Sequence, residues 1–429
     1  MNRAAFRDQS TDGVAVFGNI AESQIQGARI CLVAEYDTPQ NAQAAEVLLG
    51  FYREALAKGT TRFRNKTSLF RAFDGTGMDS PEMSVERYGT RVIWTIPMSV
   101  IPGNRLDHYV QGSELLEHML DSPLAAEKEE LFEAVREDVT RGIQDRIKDH
   151  TARAQRMFKA TMFPNAYPFS DDNEIQIVQQ ASWDDLANAF SVHIEKAKPI
   201  VLYSGETPIE EVIGALSSLT GKYTRSSESI VPIQKNHLEV GERKHVDGPC
   251  ETTHFLRAYP LLRDPSSVEE KAAVFLFSHV LGGGGIASMM MAELRMKLKL
   301  VYGANTHYQP HNNLVMVATE HDTKHFDTIV EQSAAVMQRA WNGELHGFPE
   351  LKKQRLGLLI MRRAAGKLSQ TAEAGYRLDK AMDVYVRETL DPFDKAYLAI
   401  ASLSADDVTA QMRTFLDPTK SQIFTYGKR

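Results

Sequence analysis

The sequence predicts an α+β fold built from two homologous domains, each a mixed, mostly antiparallel sheet with helices on one face. Three observations lead there. Runs of alternating apolar residues precede runs of helical periodicity in both halves, instead of strand and helix alternating one for one. A series of short patterns occurs twice in the same order, about 220 residues apart. The chain also has 429 residues, too many for one ordinary core, and it is 43% hydrophobic with no low-complexity tract.

In chain order, GVAVFGNI and ARICLVAEY read as strands, and a helix spans Asn41–Lys58. EMSVERYGTRVIWTIP alternates about a turn and reads as a strand pair. A helix over Asp107–Leu120 follows, then a long helical stretch from Glu127 to Met162. The acidic EKEE at 127–130 suits the first turn of that stretch, where negative charge meets the positive end of the helix dipole. PIVLYSG closes the first half as a strand. The second half gives a strand at THFLRAY, a helix over Ser267–Leu281, a glycine loop and a helix over Ser288–Lys297. Strands over Val301–Tyr308 and Leu314–Thr319, further helices and the strand SQIFTYG complete it.

Four matched pairs carry the repeat. LDHYV at 106–110 answers FDTIV at 326–330, and LFEAVRE at 131–137 answers ELKKQRL at 350–356 with Arg136 on Arg355. TARAQRMFKATM at 151–162 answers TAEAGYRLDKAM at 371–382. SWDDL with a strand ending at Gly205 answers SADDV with a strand ending at Gly427. Each identity is weak, but a shared order at lags of 219 to 222 points to one α+β unit used twice. The domains are therefore expected over 1–206 and 246–429, joined by a linker over 207–245 that contains TGKYTRSSES and GERKHVDGPC. A duplication of this kind implies a clam-shell with a ligand cleft between its halves.

Composition narrows the function classes. The formal charge is −7 and no long Lys/Arg run occurs, which argues against nucleic acid and anionic membranes as partners. No stretch approaches the roughly 20 apolar residues of a membrane span, and MNRAAFRDQSTDG lacks the apolar core of a secretory signal. Cys31 and Cys250 are too far apart in sequence to suggest a disulfide framework or a thiolate metal site. A cytoplasmic location is the expectation.

The most specific stretch is LGGGGIASMMMAELRMKLKLVYG, residues 281–303. Four glycines, Gly282, Gly283, Gly284 and Gly285, open a helix that carries E-L-R, and Tyr302 follows Arg295 by seven positions. This resembles the second domain of the pitrilysin/insulinase metallopeptidases. The first half fits as well: FYREALAKGT looks like the end of that family's first helix, FPNAYPFS like the loop after its long helix, and PIVLYSGE like the strand closing its first domain. The resemblance implies that Arg295 and Tyr302 reach a bound peptide near its scissile bond. There a fixed cation and a phenolic donor would suit a carbonyl and its developing oxyanion. It also implies a flexible glycine loop at the cleft.

The family's zinc motif, H-x-x-E-H on the first helix, is where this sequence departs. Aligning Lys58-Gly59-Thr60 places Gly50 and Glu54 at the histidine positions and Arg53 at the glutamate base, and the best register for the later carboxylate ligand is Gly142. Zinc needs imidazoles and a carboxylate to converge on it, so no metal and no catalytic residue are expected in this chain. Zinc is expected in a partner subunit of the same fold.

Each sharp reading has an ordinary alternative. Arg295 and Tyr302 could be a helix-end arginine and a half-buried strand tyrosine, and the glycines a structural turn. The glycine run lacks the G-K-[ST] ending of a phosphate loop. ELLEH at 114–118 is one residue short of the zinc motif and 64 positions downstream of Gly50, in a helix of its own. HDTKH at 321–325 reads as a solvated face, Pro310 breaks the pairing in HYQPH, and Met289–Met291 reads as core or as a pliable peptide lining.

The expectation is a non-catalytic, substrate-binding subunit of a heterodimeric zinc metallopeptidase acting on peptides. The alternative is a non-proteolytic scaffold or peptide-binding protein of the same fold. A homodimeric peptidase with an unconventional metal site is a third possibility.

Overall fold

The computed structural model describes residues 7–11, 14–20, 26–78, 81–100, 106–168, 170–205, 207–217, 219, 233–365, 378–379, 381–387 and 393–428. All of TGKYTRSSES and most of the repeat segment at 371–382 lie outside them.

The first half contributes strands β1 (Arg7–Thr11), β2 (Val14–Ile20), β3 (Gln26–Glu35), β4 (Ser84–Tyr88), β5 (Arg91–Val100) and β6 (Lys198–Gly205). Its helices are α1 (Pro39–Leu56), α2 (Lys66–Gly75), α3 (Leu106–Asp121), α4 (Glu129–Lys148), α5 (His150–Met162), α6 (Asp171–Gln180), α7 (Trp183–Lys196) and α8 (Ile209–Ala215). The second half contributes β7 (Lys244–Asp247), β8 (Thr253–Pro260), β9 (Gly303–Gln309), β10 (Leu314–His321) and β11 (Gln422–Gly427). Its helices are α9 (Val268–Ser278), α10 (Phe326–Asn342), α11 (Phe348–Ala365), α12 (Phe393–Ser402) and α13 (Ala405–Phe415).

The two sheets share one topology. The first runs β1-β2-β6-β3-β5-β4 and the second β7-β11-β8-β10-β9. Set β1 aside and they match strand for strand: β2 lies parallel to β6 as β7 does to β11, and every other neighbouring pair is antiparallel. The helix before each closing strand begins alike. Ser182 and Asp185 form a reciprocal cap on α7, and Ser404 and Asp407 form the same cap on α13. The duplicated α+β architecture read from the sequence is the one the chain adopts.

The chain forms two compact units, each discontinuous in sequence. The first comprises residues 1–145, 165–233 and 362–390, and the second 146–164, 234–361 and 391–429. Residues 146–164 and 362–390 are thus exchanged between the halves, and they contain the matched repeat segments 151–162 and 371–382. The long helical stretch is broken where the exchange begins. Asp149, with φ −74° and ψ 94°, accepts the N–H of Ala152 and starts α5 as a separate helix.

In the first unit, one sheet face packs on α1 and α7 through an aromatic cluster. Trp94 lies edge-on to Tyr52 of α1 and Phe190 of α7, with ring centroids 6.0 and 5.1 Å apart. The other face, with Cys31, Val33, Ile93, Ile200 and Leu202, packs on Leu378, Ala381, Met382 and Val386 of the exchanged segment. In the second unit the main core joins β8, β9 and β10 to α9, α10 and α13. Its opposite face presents Phe424 to Phe158 of α5. The helices therefore lie on one face of each sheet, as expected, and one exchanged segment covers the other.

Candidate functional site

Gly50, Arg53 and Glu54 lie together on α1, whose buried face is Ala42, Ala45, Leu49, Phe51, Tyr52, Ala55 and Leu56. Thr38 caps the helix by accepting the N–H of Asn41, and Pro39 stands in the first turn, where no N–H is needed. The Arg53 guanidinium pairs with the Glu54 carboxylate and also donates to Met83 O at 3.3 Å. Gly142 is exposed on α4. Phe51 stacks on Phe132 with centroids 5.2 Å apart, and Lys58 Nζ meets Asp138 Oδ2 at 2.7 Å. These contacts tie the stretch Phe132–Asp138 of α4 to α1, and Gly142 lies a turn beyond it. A Cβ at Gly50 or at Gly142 would meet no atom within 4 Å.

Zinc does not fit this set. The four positions offer one carboxylate, which Arg53 already engages, and two residues without a side-chain donor atom. Among the described residues no group of three or more His, Cys, Asp or Glu could hold a metal ion. The other histidine motifs are tied up locally. His118 Nε2 lies 3.2 Å from Thr60 Oγ1, and His307 Nε2 lies 2.9 Å from Gln309. His321 Nδ1 lies 2.8 Å from Asp322 O, and since a carbonyl only accepts, that nitrogen carries the hydrogen.

The glycine run is fitted closely to its surroundings. A Cβ on Gly282 would come within 2.7 Å of the Thr306 backbone nitrogen, and one on Gly284 within 2.4 Å of Leu351. Gly285 has φ +67°, a region that disfavours side chains. The chain forms a wide π turn over His279–Gly283, which brings Gly282 against β9. Beyond a short 3-10 turn at Gly285–Ala287, the segment Met291–Lys297 is also of the wide π form. Met289, Met290 and Met291 are core residues, and the N–H of Ala304 on β9 lies 3.1 Å from Met291 Sδ.

Arg295 is exposed on this segment, and among the described residues no ion pair or hydrogen bond engages it. Its neighbour Glu293 is heavily used: Lys297 and Arg339 each approach a carboxylate oxygen at 2.9 Å and hold its pKa below the usual range. The segment ends in a tight reversal, with Leu300 N bonded to Leu294 O at 2.8 Å and Lys299 in the left-handed region at φ 54°. Arg295 thus lies before this short turn and Tyr302 after it. Tyr302 is 60% exposed, and its phenol donates to Asp322 Oδ1 at 3.2 Å. Sequence reasoning missed Asp322, although it stands between the two histidines of HDTKH.

No family profile matches the chain, and no curated protein matches it in sequence. Solved structures do resemble it. A conserved protein from Enterococcus faecalis superposes with TM-score 0.80 at 14% identity, covering 97% of each chain. A peptidase M16 inactive domain from Pseudomonas fluorescens gives 0.73 at 16%, covering 99% of this chain and 98% of that one. A protease from Helicobacter pylori gives 0.70 at 13%, covering 98% and 100%. Among the described residues no helix is long and apolar enough to cross a membrane. The chain has the duplicated α+β fold of the pitrilysin-type, M16-like peptidase domains.

Proposed function

We propose that this chain is the non-catalytic, peptide-binding subunit of a cytoplasmic heterodimeric zinc metallopeptidase, and that it supplies Arg295 and Tyr302 to the active site of a zinc-bearing partner of the same fold. The observation that carries this reading is the contrast between two places. At the zinc-motif positions the polar groups satisfy one another, with Arg53 on Glu54. Around the turn after the glycine run, Arg295 stands exposed and unengaged among the described residues, and Tyr302, seven positions on, is exposed as well. A cation and a phenol held ready for an oxyanion are worth about 3 kcal/mol per donor in a water-excluded site.

A scaffold without proteolytic work is the second reading. It is favoured by the close seating of Gly282 and Gly283 on Thr306 and by the Met291 sulfur against the Ala304 amide, all along β9.

The test mixes this chain with a zinc-bearing chain of the same fold from the same genome and follows cleavage of unstructured peptides. Activity found only in the mixture, and reduced by roughly a hundredfold in Arg295→Ala or Tyr302→Phe, supports the complementing subunit. Cleavage that ignores both substitutions, or no complex with any such partner, supports the scaffold.

A further inference from the structure

Tyr302 is held at two points on the end of β10. Its backbone N–H donates to Glu320 O at 3.0 Å, and its phenol donates to Asp322 Oδ1 at 3.2 Å. With 60% of the residue exposed, packing alone does not select the ring's rotamer, whereas the phenol's bond to Asp322 does. The second oxygen of Asp322 lies 3.6 Å from Lys324 Nζ, and Asp322 is itself fixed as the residue that opens the turn Thr323–His325 ahead of α10.

We infer that Asp322 is the positioning residue for Tyr302: it parks the phenolic hydrogen in the free chain and yields it to the substrate as the reacting carbonyl becomes an oxyanion. This rests on the functional reading above. A phenol has one hydrogen to donate, so Asp322 and the substrate compete for it. A neutral carbonyl competes poorly against a carboxylate, while an oxyanion competes well. The Asp322 bond is given up when the oxyanion forms, so what Asp322 contributes to kcat is the ring orientation it sets beforehand, which spares the search for the reactive rotamer. Asp322, first as acceptor and then as a charge, also raises the Tyr302 pKa above its ordinary value.

Two measurements test this. In the isolated chain carrying 13Cζ-labelled tyrosine, the Tyr302 resonance is identified by its loss in Tyr302→Phe. Its titration should move to lower pH in Asp322→Ala, and an unchanged midpoint would overturn the positioning role. In the mixture with a zinc-bearing partner, Asp322→Ala should lower kcat by about tenfold with KM unchanged or reduced. Adding it to Tyr302→Phe should cost nothing more, and Asp322→Asn, which keeps an acceptor oxygen, should restore part of the rate. A raised KM, or additive losses in the double variant, would mark Asp322 as merely structural and overturn the inference. If the resonance shifts but Tyr302→Phe leaves the mixture fully active, the pairing stands and the peptidase-subunit reading falls.

Discussion

Phe158 and Phe424 meet edge to face with ring centroids 5.8 Å apart, although one lies on the last helix turn before FPNAYPFS and the other in the final strand of the chain. The contact is made within the second unit, because residues 146–164 belong there in spite of their place in the first half. His150 and Arg153, on the same helix, reach Tyr426 of the same strand, at 6.4 Å between rings and 5.8 Å from guanidinium to ring. The exchanged helix thus closes a sheet face that the local sequence leaves bare.

Truncating that anchor should be costly. Phe158 is 1% exposed and Phe424 is fully buried, so Phe158→Ala removes a large apolar side chain from a packed interface. The expected loss is about 3–4 kcal/mol. Hydrogen exchange should show the protection of β8 and β11 falling first, with β3 and β5 retaining theirs. Uniform loss across both sheets would show that the units do not respond separately.

The exchanged segment of the first unit is held by charge as well as packing. Arg387 pairs with Glu86 and with Asp383, the latter at 3.0 Å, and Tyr88 donates to Glu86 at 3.0 Å. Arg91, 1% exposed, bonds Glu35 at 2.6 Å and donates to Val386 O at 3.2 Å. Removing Arg387 takes away the cation that Glu86 and Asp383 share at a partly buried place. Arg387→Ala should therefore cost about 2 kcal/mol, and Arg387→Ala with Glu86→Ala should cost less than the sum of the two. A double-mutant cycle by denaturant unfolding checks this, and strict additivity would count against a coupled network.

The contrast between these two anchors shows what the sequence could reveal. Most strands and helices were legible because alternation and helical periodicity are local, and the repeat because matched patterns recur in one order about 220 residues apart, whereas the short strands β1 and β7 were not read. Nor was the exchange. Helical periodicity runs on through Asp149, so the stretch from Glu127 to Met162 reads as one helix, and no pattern says which sheet α5 will cover. The site divides in the same way. Arg295 and Tyr302 are found by spacing, while Asp322 matters only because β9 and β10 pair and bring the end of one strand to the start of the other. The short helix α2 was missed too, although Asn65 and Ser68 form a cap that a closer reading of RNKTS could have found.

Acid should destabilise the chain through histidines that fold neutral. Burial lowers the pKa of His193, to about 4, and also lowers those of His254, His279, His307 and His321. His193 shows why the neutral form is kept: Nε2–H donates to Leu32 O at 3.1 Å, and Nδ1 accepts from the Tyr36 phenol at 3.2 Å. The unfolded chain takes up protons first as pH falls. Stability is therefore full above about pH 6.5 and declines as pH falls from there toward 4, with His193 alone accounting for about 3 kcal/mol. Unfolding midpoints measured from pH 8 to pH 4 should trace this decline, and His193→Gln should flatten it. A profile independent of pH across that window would refute the assignment.

The glycines make the sharpest contrast, because two sets that look alike in sequence sit in opposite surroundings. Gly50 and Gly142 lie inside α1 and α4 with open space where a Cβ would stand. Glycine costs a helix interior about 1 kcal/mol relative to alanine, so Gly50→Ala and Gly142→Ala should each raise stability by roughly that amount. Gly282 is the reverse, since its Cβ would fall 2.1 Å from Thr306 Oγ1 and 2.7 Å from the Thr306 backbone nitrogen. The backbone cannot move aside as a flexible side chain can, so Gly282→Ala should cost about 1–3 kcal/mol and loosen the π turn from β9. Thermal unfolding of the three variants decides the matter. A destabilised Gly50→Ala would mean that the open space above α1 is filled in solution, and a neutral Gly282→Ala would mean that the glycine run does not rest on β9 as described.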